Sequence, residues 1–349
     1  MEFGLFHEFQ KSPETSEAEA FAQSFELVDA AERWGLDAMW LAELHFEPGR
    51  SVLASPMILA AAIAQRTRRM KIGTAVQVLP LCHPLRLAEE AATVDQISDG
   101  RLIFGVGRSG FAHVYQAYGV PYEESRERFA ETLEIVKRAW TNERFSFSGK
   151  YFAYDKVAVV PKPLQKPTPP IRIAATSIDT YAAIGTLGHP IFVAARLGTL
   201  SELAPLVRGY REAYRAAGHP GAGEVYLRVP VYLAETEERA RREPEESVMH
   251  LFRAIGGQLQ ASANVAGARA IEQRAERGQQ LQTVSYDDAL RDKMIVGTPD
   301  QVVEKLQRLR EEIWLDGILA ELNPGSLIPH ALVMNALRLL CQEVMPRFH

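Results

Sequence analysis

Two cysteines in 349 residues, Cys82 and Cys341, stand far apart and match neither a disulfide framework nor a metal-ligand pair. They are expected to be reduced thiols in a cytoplasmic protein. The chain has no H-x-x-x-H, HExxH or clustered-carboxylate pattern to suggest a metal site, and no G-x-S-x-G elbow to suggest a hydrolase. It also lacks a run of Lys and Arg, and its net charge is −5. A nucleic-acid surface is therefore not expected, because phosphate neutralisation needs clustered cations. No apolar stretch approaches the roughly 18 residues that span a bilayer. The opening residues Met1 to Phe6 lack the basic and apolar regions of a signal peptide, so the chain reads as soluble and cytoplasmic. Fixed-period repeats and low-complexity tracts are absent too.

What the sequence does have is a rhythm. A hydrophobic content of 47% supplies a large core, and short β-type runs alternate with helical ones. The β-runs are Phe3–Phe6, Ala38–Leu41, Ile72–Val78, Leu102–Val106, Ile171–Ala174, Ile191–Ala194, Val225–Ala234 and Asp316–Leu319. Between them lie apolar residues at helical spacing, such as Phe21, Phe25, Val28 and Ala31, or Phe129, Leu133, Val136 and Trp140. Ser16 and Glu19 form a capping box, Gly35 closes that first helix, and Thr298-Pro299-Asp300-Gln301 opens a late one. Eight such β/α units predict a parallel sheet closed into a (β/α)8, TIM-like barrel, with an open doubly wound sheet as the structural alternative. The barrel is expected to be one domain over residues 1–349.

Two stretches break the rhythm. Residues 145–170 read as a surface hairpin around Ser148-Gly149-Lys150 followed by a proline-rich segment. Residues 235–292 are charged, contain Gly256-Gly257, and are either a mobile flap over the barrel mouth or a helical excursion without catalytic duty.

Active sites of such barrels lie at the C-terminal ends of the strands. The second run ends at Glu43-Leu44-His45-Phe46, which brings the His45 imidazole to the mouth as a group able to hydrogen-bond or exchange a proton. His7 and His83 follow the first and third runs and could reach the same place. The fourth run ends in Gly105-Val106-Gly107-Arg108-Ser109-Gly110, a G-x-G-x-x-G in the wrong place for a dinucleotide fingerprint, which belongs after a first strand. Its glycines allow close backbone approach, and Arg108 offers a planar fork suited to phosphate, or else a surface ion pair. The fifth run leads into Thr176-Ser177-Ile178-Asp179-Thr180, hydroxyls at a helix start that make either an anion site or an ordinary cap. Arg108 and this cap leave adjacent strands, so one phosphate could meet both.

Together these segments resemble the bacterial luciferase-like monooxygenase family. The resemblance runs through nearly the whole chain. Its most specific stretches are Ala38 to Phe46, Gly73 to Pro84, Asp95 to Leu102 running into Phe104 to Arg108, Val296 to Pro299 and Glu343 to Phe348. It implies a TIM-like barrel, FMN delivered in reduced form by a separate flavin reductase, a C4a-hydroperoxyflavin, a small organic substrate and a homodimer. On the matching positions, Arg108, Ser177 and Thr180 hold the FMN phosphate, and Ala75 and Val76 form a non-proline cis peptide beneath the flavin ring. Luciferase itself has two consecutive histidines after the glutamate, the first being its catalytic base. Leu44 stands in that place here, so light emission from a long-chain aldehyde is not expected, and His45 is the remaining polar candidate. An F420-dependent hydride-transfer enzyme and a non-catalytic flavin-binding subunit are the alternatives on the same barrel.

Overall fold

The computed structural model describes residues 1–175, 178–195, 198–263 and 271–349. Eight parallel strands form a closed barrel: β1 (Glu2–His7), β2 (Ala38–Leu41), β3 (Lys71–Thr74), β4 (Leu102–Gly107), β5 (Ile171–Ala174), β6 (Ile191–Ala194), β7 (Val225–Leu233) and β8 (Gly317–Glu321). Each pairs with the next in chain order, and β8 returns to pair with β1 through Glu2↔Gly317 and Leu5↔Ala320. This closed, all-parallel order excludes the open-sheet alternative. The expected third run, Ile72–Val78, is divided: β3 stops at Thr74, and Gln77–Val78 resumes pairing with β4 after the Ala75–Val76 peptide, which is cis.

The barrel interior is packed solid at its lower end. Trp40 on β2 is fully buried, and a Cβ on Gly4 of β1 would lie 2.2 Å from its ring, one on Gly73 of β3 only 2.1 Å. A strand with a full-sized indole pointing inward thus needs glycine on both neighbouring strands. Arg172 of β5 stacks over Trp40 and Tyr226 and pairs with Glu2 (Nη1–Oε1 2.7 Å), so this end carries a satisfied charge.

The helices begin where the sequence indicates. Ser16 and Glu19 close a reciprocal capping box on helix Glu17–Arg33, and Thr298 and Gln301 another on Pro299–Ile313. Gly35, at φ +89°, takes the left-handed conformation that ends the first of these helices. The stretch beginning at 145 contains the expected antiparallel hairpin, Phe145–Ser148 with Ala153–Val157. The described residues of the stretch 235–292 form a helical excursion built from Glu237–Arg242, Glu245–Ala263, Ile271–Thr283 and Tyr286–Asp292. The two longer helices cross at Gly256 and Gly278, where a Cβ on either would come within 3 Å of the other's carbonyl oxygen. That close crossing explains the glycine at 256. Helix Glu245–Ala263 is anchored to the loop after β8, Ser247 Oγ donating to the Pro324 carbonyl at 2.7 Å, which places it over the C-terminal mouth. Among the described residues no helix is long and apolar enough to cross a membrane.

His7 does not project into the mouth. It is fully buried with its ring 5.0 Å from that of Phe9, and burial pushes its imidazolium down to about 4. An unfolded histidine titrates near 6.5. Between those values the unfolded chain binds more protons than the folded one, so stability is full above about pH 6.5 and is lost as pH falls towards 4. The expected loss from His7 is about 3 kcal/mol across that window. Urea unfolding at pH 7, 6, 5 and 4.5 should show it, with a shallower slope in His7→Gln. An identical slope in the variant would contradict the assignment.

Candidate functional site

Three groups of residues meet at the C-terminal ends of the strands. The first surrounds Arg108, which directly follows β4. Its Nη1 donates to Ser125 Oγ at 3.1 Å, and its carbonyl accepts from the buried Tyr115 hydroxyl. Among the described residues it makes no ion pair, which removes the surface-ion-pair reading. Burial, reinforced by the neighbouring Arg126 guanidinium, pulls Arg108 below the usual arginine range. Arg126 in turn donates to Asp179 at 2.8 Å, in the first turn of helix Ile178–Leu187 that follows β5. That bridge brings the start of this helix, with half-buried Thr180, to the side of the site where Arg108 stands. Ser177 and Thr176 lie outside the described residues. A half-buried cation with no ion pair among the described residues, beside a second cation that takes up the Asp179 carboxylate and beside a helix start, has the electrostatics of an anion cradle.

The second group joins β2 to β3 and β4. Gly107 lets Val76 come close: a Cβ there would meet the valine side chain at 2.5 Å. Gly105 does the same for Thr74, whose carbonyl oxygen would lie 1.7 Å from an added Cβ. The first two glycines of the G-x-G-x-x-G run thus admit the neighbouring strand rather than a phosphate. Ala75 and Val76 are thereby set next to Arg108. Gln77 donates its amide to Glu43 Oε2 at 2.5 Å and to Cys82 Sγ at 3.3 Å, which fixes the amide orientation and leaves the buried Gln77 Oε1 without a partner. Glu43 also accepts from the Val78 backbone N–H at 2.7 Å, and its Oε1 lies 2.9 Å from His45 Nε2. His45 Nδ1 is 3.2 Å from the Tyr118 hydroxyl. Leu44, between Glu43 and His45, turns the other way into the hydrophobic core.

The third group is the charged floor of the mouth. Arg50 holds Glu8 through two bonds, Nε–Oε2 2.7 Å and Nη2–Oε1 2.5 Å. Arg228, lying over the Phe6 ring at 3.4 Å, bridges Glu8 (3.2 Å) and Glu321 (2.9 Å). Next to it a cavity of about 10 Å³, room for one water, is bounded by Ala194, Arg228, Leu251, Phe252, Lys293 and Glu321. Leu251 and Phe252 belong to helix Glu245–Ala263, and Gln258 on the same helix donates to Glu47 at 2.7 Å, so the excursion roofs the mouth.

The sequence reading brought Arg108, Thr180, Ala75, Val76 and His45 to one end of the barrel, and the structure places all five there. It does not place His83 among them: His83 caps helix Pro84–Ile97 and sits beside Phe152 and Tyr154 of the hairpin. Glu43, Gln77, Tyr118 and the floor residues were missed as site residues. Glu43 carried a signal, two residues before His45 and so on the same side of an extended chain. The others carried none, since their partners are distant in sequence.

The profile of the family described as luciferase-like monooxygenase matches residues 1–316. Over its full length the chain is 25% identical to the oxygenase component of flavin-dependent trigonelline monooxygenase of Acinetobacter baylyi, covering 96% of that protein. It is 36% identical over 222 residues to the uncharacterized protein y4vJ of Sinorhizobium fredii, a match spanning 62% of that relative, less than two thirds of its length. Among solved structures, monooxygenase RslO1 from Streptomyces bottropensis superposes with a TM-score of 0.80, at 27% identity and with both chains fully covered.

Proposed function

The chain belongs to the luciferase-like monooxygenase family, and on that footing we propose that it is the oxygenase component of a two-component FMN-dependent monooxygenase acting on a small organic substrate. The observation that carries this reading is Arg108, a half-buried guanidinium that makes no ion pair among the described residues and shares its side of the mouth with the start of the helix after β5. The residues fit the cofactor: Arg108 and Thr180 hold its phosphate, together with Ser177 assigned from sequence. Ala75 and Val76 would support its ring, and Gln77 Oε1, without a partner among the described residues, would be an acceptor for a heterocyclic N–H. Reduced FMN, when bound, supplies the electrons that activate dioxygen. The chain's own task is to hold the ring against β3, to place the Glu43–His45 pair beside the substrate, and to keep water out beneath helix Glu245–Ala263. A flavin reductase is the partner that supplies the reduced cofactor, and the oxygenase acts as a homodimer.

Anaerobic mixing with reduced FMN, followed by dioxygen and a panel of small organic substrates, tests this reading. Tight binding of reduced FMN and substrate-dependent oxygen use without matching peroxide release are the expected results. Oxidation of reduced F420 without dioxygen would mark a hydride-transfer enzyme. FMN binding with no substrate-dependent oxygen use would mark a non-catalytic subunit.

A further inference from the structure

Both ring nitrogens of His45 are engaged, and the way they are engaged fixes a direction for proton movement. Glu43 already accepts two N–H donors on Oε2, from Gln77 and Val78, and its Oε1 faces His45 Nε2 at 2.9 Å. A carboxylate accepts and cannot donate, so Nε2 carries the hydrogen. In the neutral ring Nδ1 is then the acceptor, and the Tyr118 hydroxyl, 3.2 Å away, is the donor. The polar atom left to meet a ligand is therefore the phenolic oxygen of Tyr118, not the imidazole.

The surroundings of that oxygen are aromatic. Phe46 and Tyr118 are 58% and 46% exposed, and their rings are in contact at 5.8 Å. Phe46 also holds a left-handed backbone, φ +61°, which a bulky residue rarely adopts and which keeps its ring at the mouth beside His45 (5.9 Å). Two exposed rings in contact, tilted 42° to each other and both touching one histidine, make an angled apolar surface next to a proton acceptor.

We propose that Glu43, His45 and Tyr118 form a proton relay that deprotonates a planar substrate of the phenol class, whose ring lies against Phe46 and Tyr118. The proposal deepens the monooxygenase reading and rests on it for the mouth being the substrate site. In the step, the substrate O–H bond breaks and its proton goes to Tyr118 Oη, while the Tyr118 proton passes to His45 Nδ1. The products are a substrate phenolate and an imidazolium whose Nε2–H stays on Glu43, the pairing that stabilises the charged ring. Nothing is oxidised or reduced. Partial desolvation and the nearby Glu43 carboxylate hold the half-exposed Tyr118 above the usual tyrosine range, so it stays protonated and passes the charge on.

The test uses 4-nitrophenol, whose phenolate absorbs visible light, at a pH below its own ionisation, with 4-nitroanisole as the probe that has no proton to give. The wild-type protein as isolated should bind both and raise the phenolate-to-phenol ratio of the first by about tenfold, one unit of its ionisation. Tyr118→Phe, which keeps the aromatic surface, should bind both probes and lose that rise, as should His45→Gln. Binding without ionisation, ionisation unchanged in Tyr118→Phe, or no binding of either probe would overturn the proposal. Reduced-FMN affinity, measured separately on the same three proteins, reads the flavin assignment on its own. Loss of FMN binding with the phenolate signal intact would sink that assignment and leave the relay standing.

Discussion

Replacing Arg108 by alanine is expected to weaken reduced FMN about 30- to 900-fold, or roughly 2–4 kcal/mol, while leaving the urea midpoint almost unchanged. The asymmetry follows from what the guanidinium touches. Within the protein it makes one side-chain bond, to Ser125, and no ion pair among the described residues. Its cationic form is disfavoured by burial and by Arg126. Folding therefore gains little from this charge, and a phosphate dianion gains a desolvated, charge-assisted partner. Arg108→Lys should fall between the two, because an ammonium keeps the charge and loses the planar fork. Equilibrium binding of reduced FMN under anaerobic conditions reads the effect, and unchanged affinity in Arg108→Ala would remove this residue from the site.

Gly105→Ala is expected to cost about 3 kcal/mol or more of stability, the upper end of what overpacking a core does. The added methyl would sit 1.7 Å from the Thr74 carbonyl oxygen and 2.8 Å from the Phe192 ring. Thr74 cannot yield easily, since its own hydroxyl donates to the Gly105 carbonyl at 2.6 Å and clamps β3 to β4. Relief would require the two strands to separate at the point where β3 hands over to Ala75 and Val76, so FMN affinity should fall together with stability. Gly209→Ala is the control. It lies within helix Leu203–Ala216 with nothing within 4 Å of the new Cβ, and should gain up to about 1 kcal/mol from helix propensity. Urea titrations of the two variants should move in opposite directions, and a neutral Gly105→Ala would contradict the close approach.

The barrel was legible because every β/α unit carries its own local signal. Buried strands such as Ile191–Ala194 read as short apolar runs, and helix starts at Ser16 and Thr298 announce themselves through side chains three residues apart. The boundaries moved by only a few residues, as at β8, which runs Gly317–Glu321 against the expected Asp316–Leu319. Periodicity did not divide the third run, because Gly73-Thr74-Ala75-Val76-Gln77-Val78 carries no turn signal, and the cis peptide at Ala75–Val76 was foreseen only through the family resemblance.

The site was legible in proportion to how local its pieces are. Arg108 and the hydroxyl-bearing helix start each stand at the end of a recognisable strand. Tyr118 meets His45 across 73 residues, and Arg228 meets Glu8 across 220. Such pairs are made by barrel closure, which one chain read in order does not display. The G-x-G glycines show the opposite limit: their presence was plain, yet their purpose, admitting Thr74 and Val76, depends on which strand lies alongside.

The phosphate cradle is tested most directly by comparing reduced FMN with reduced riboflavin, which carries the same ring and no phosphate. With Arg108 and the helix start as the main anchors, FMN should bind at least about 100-fold more tightly, a gap of roughly 3 kcal/mol, and the gap should largely close in Arg108→Ala. Equal affinities of the two flavins for the wild-type protein would show that no phosphate is held there.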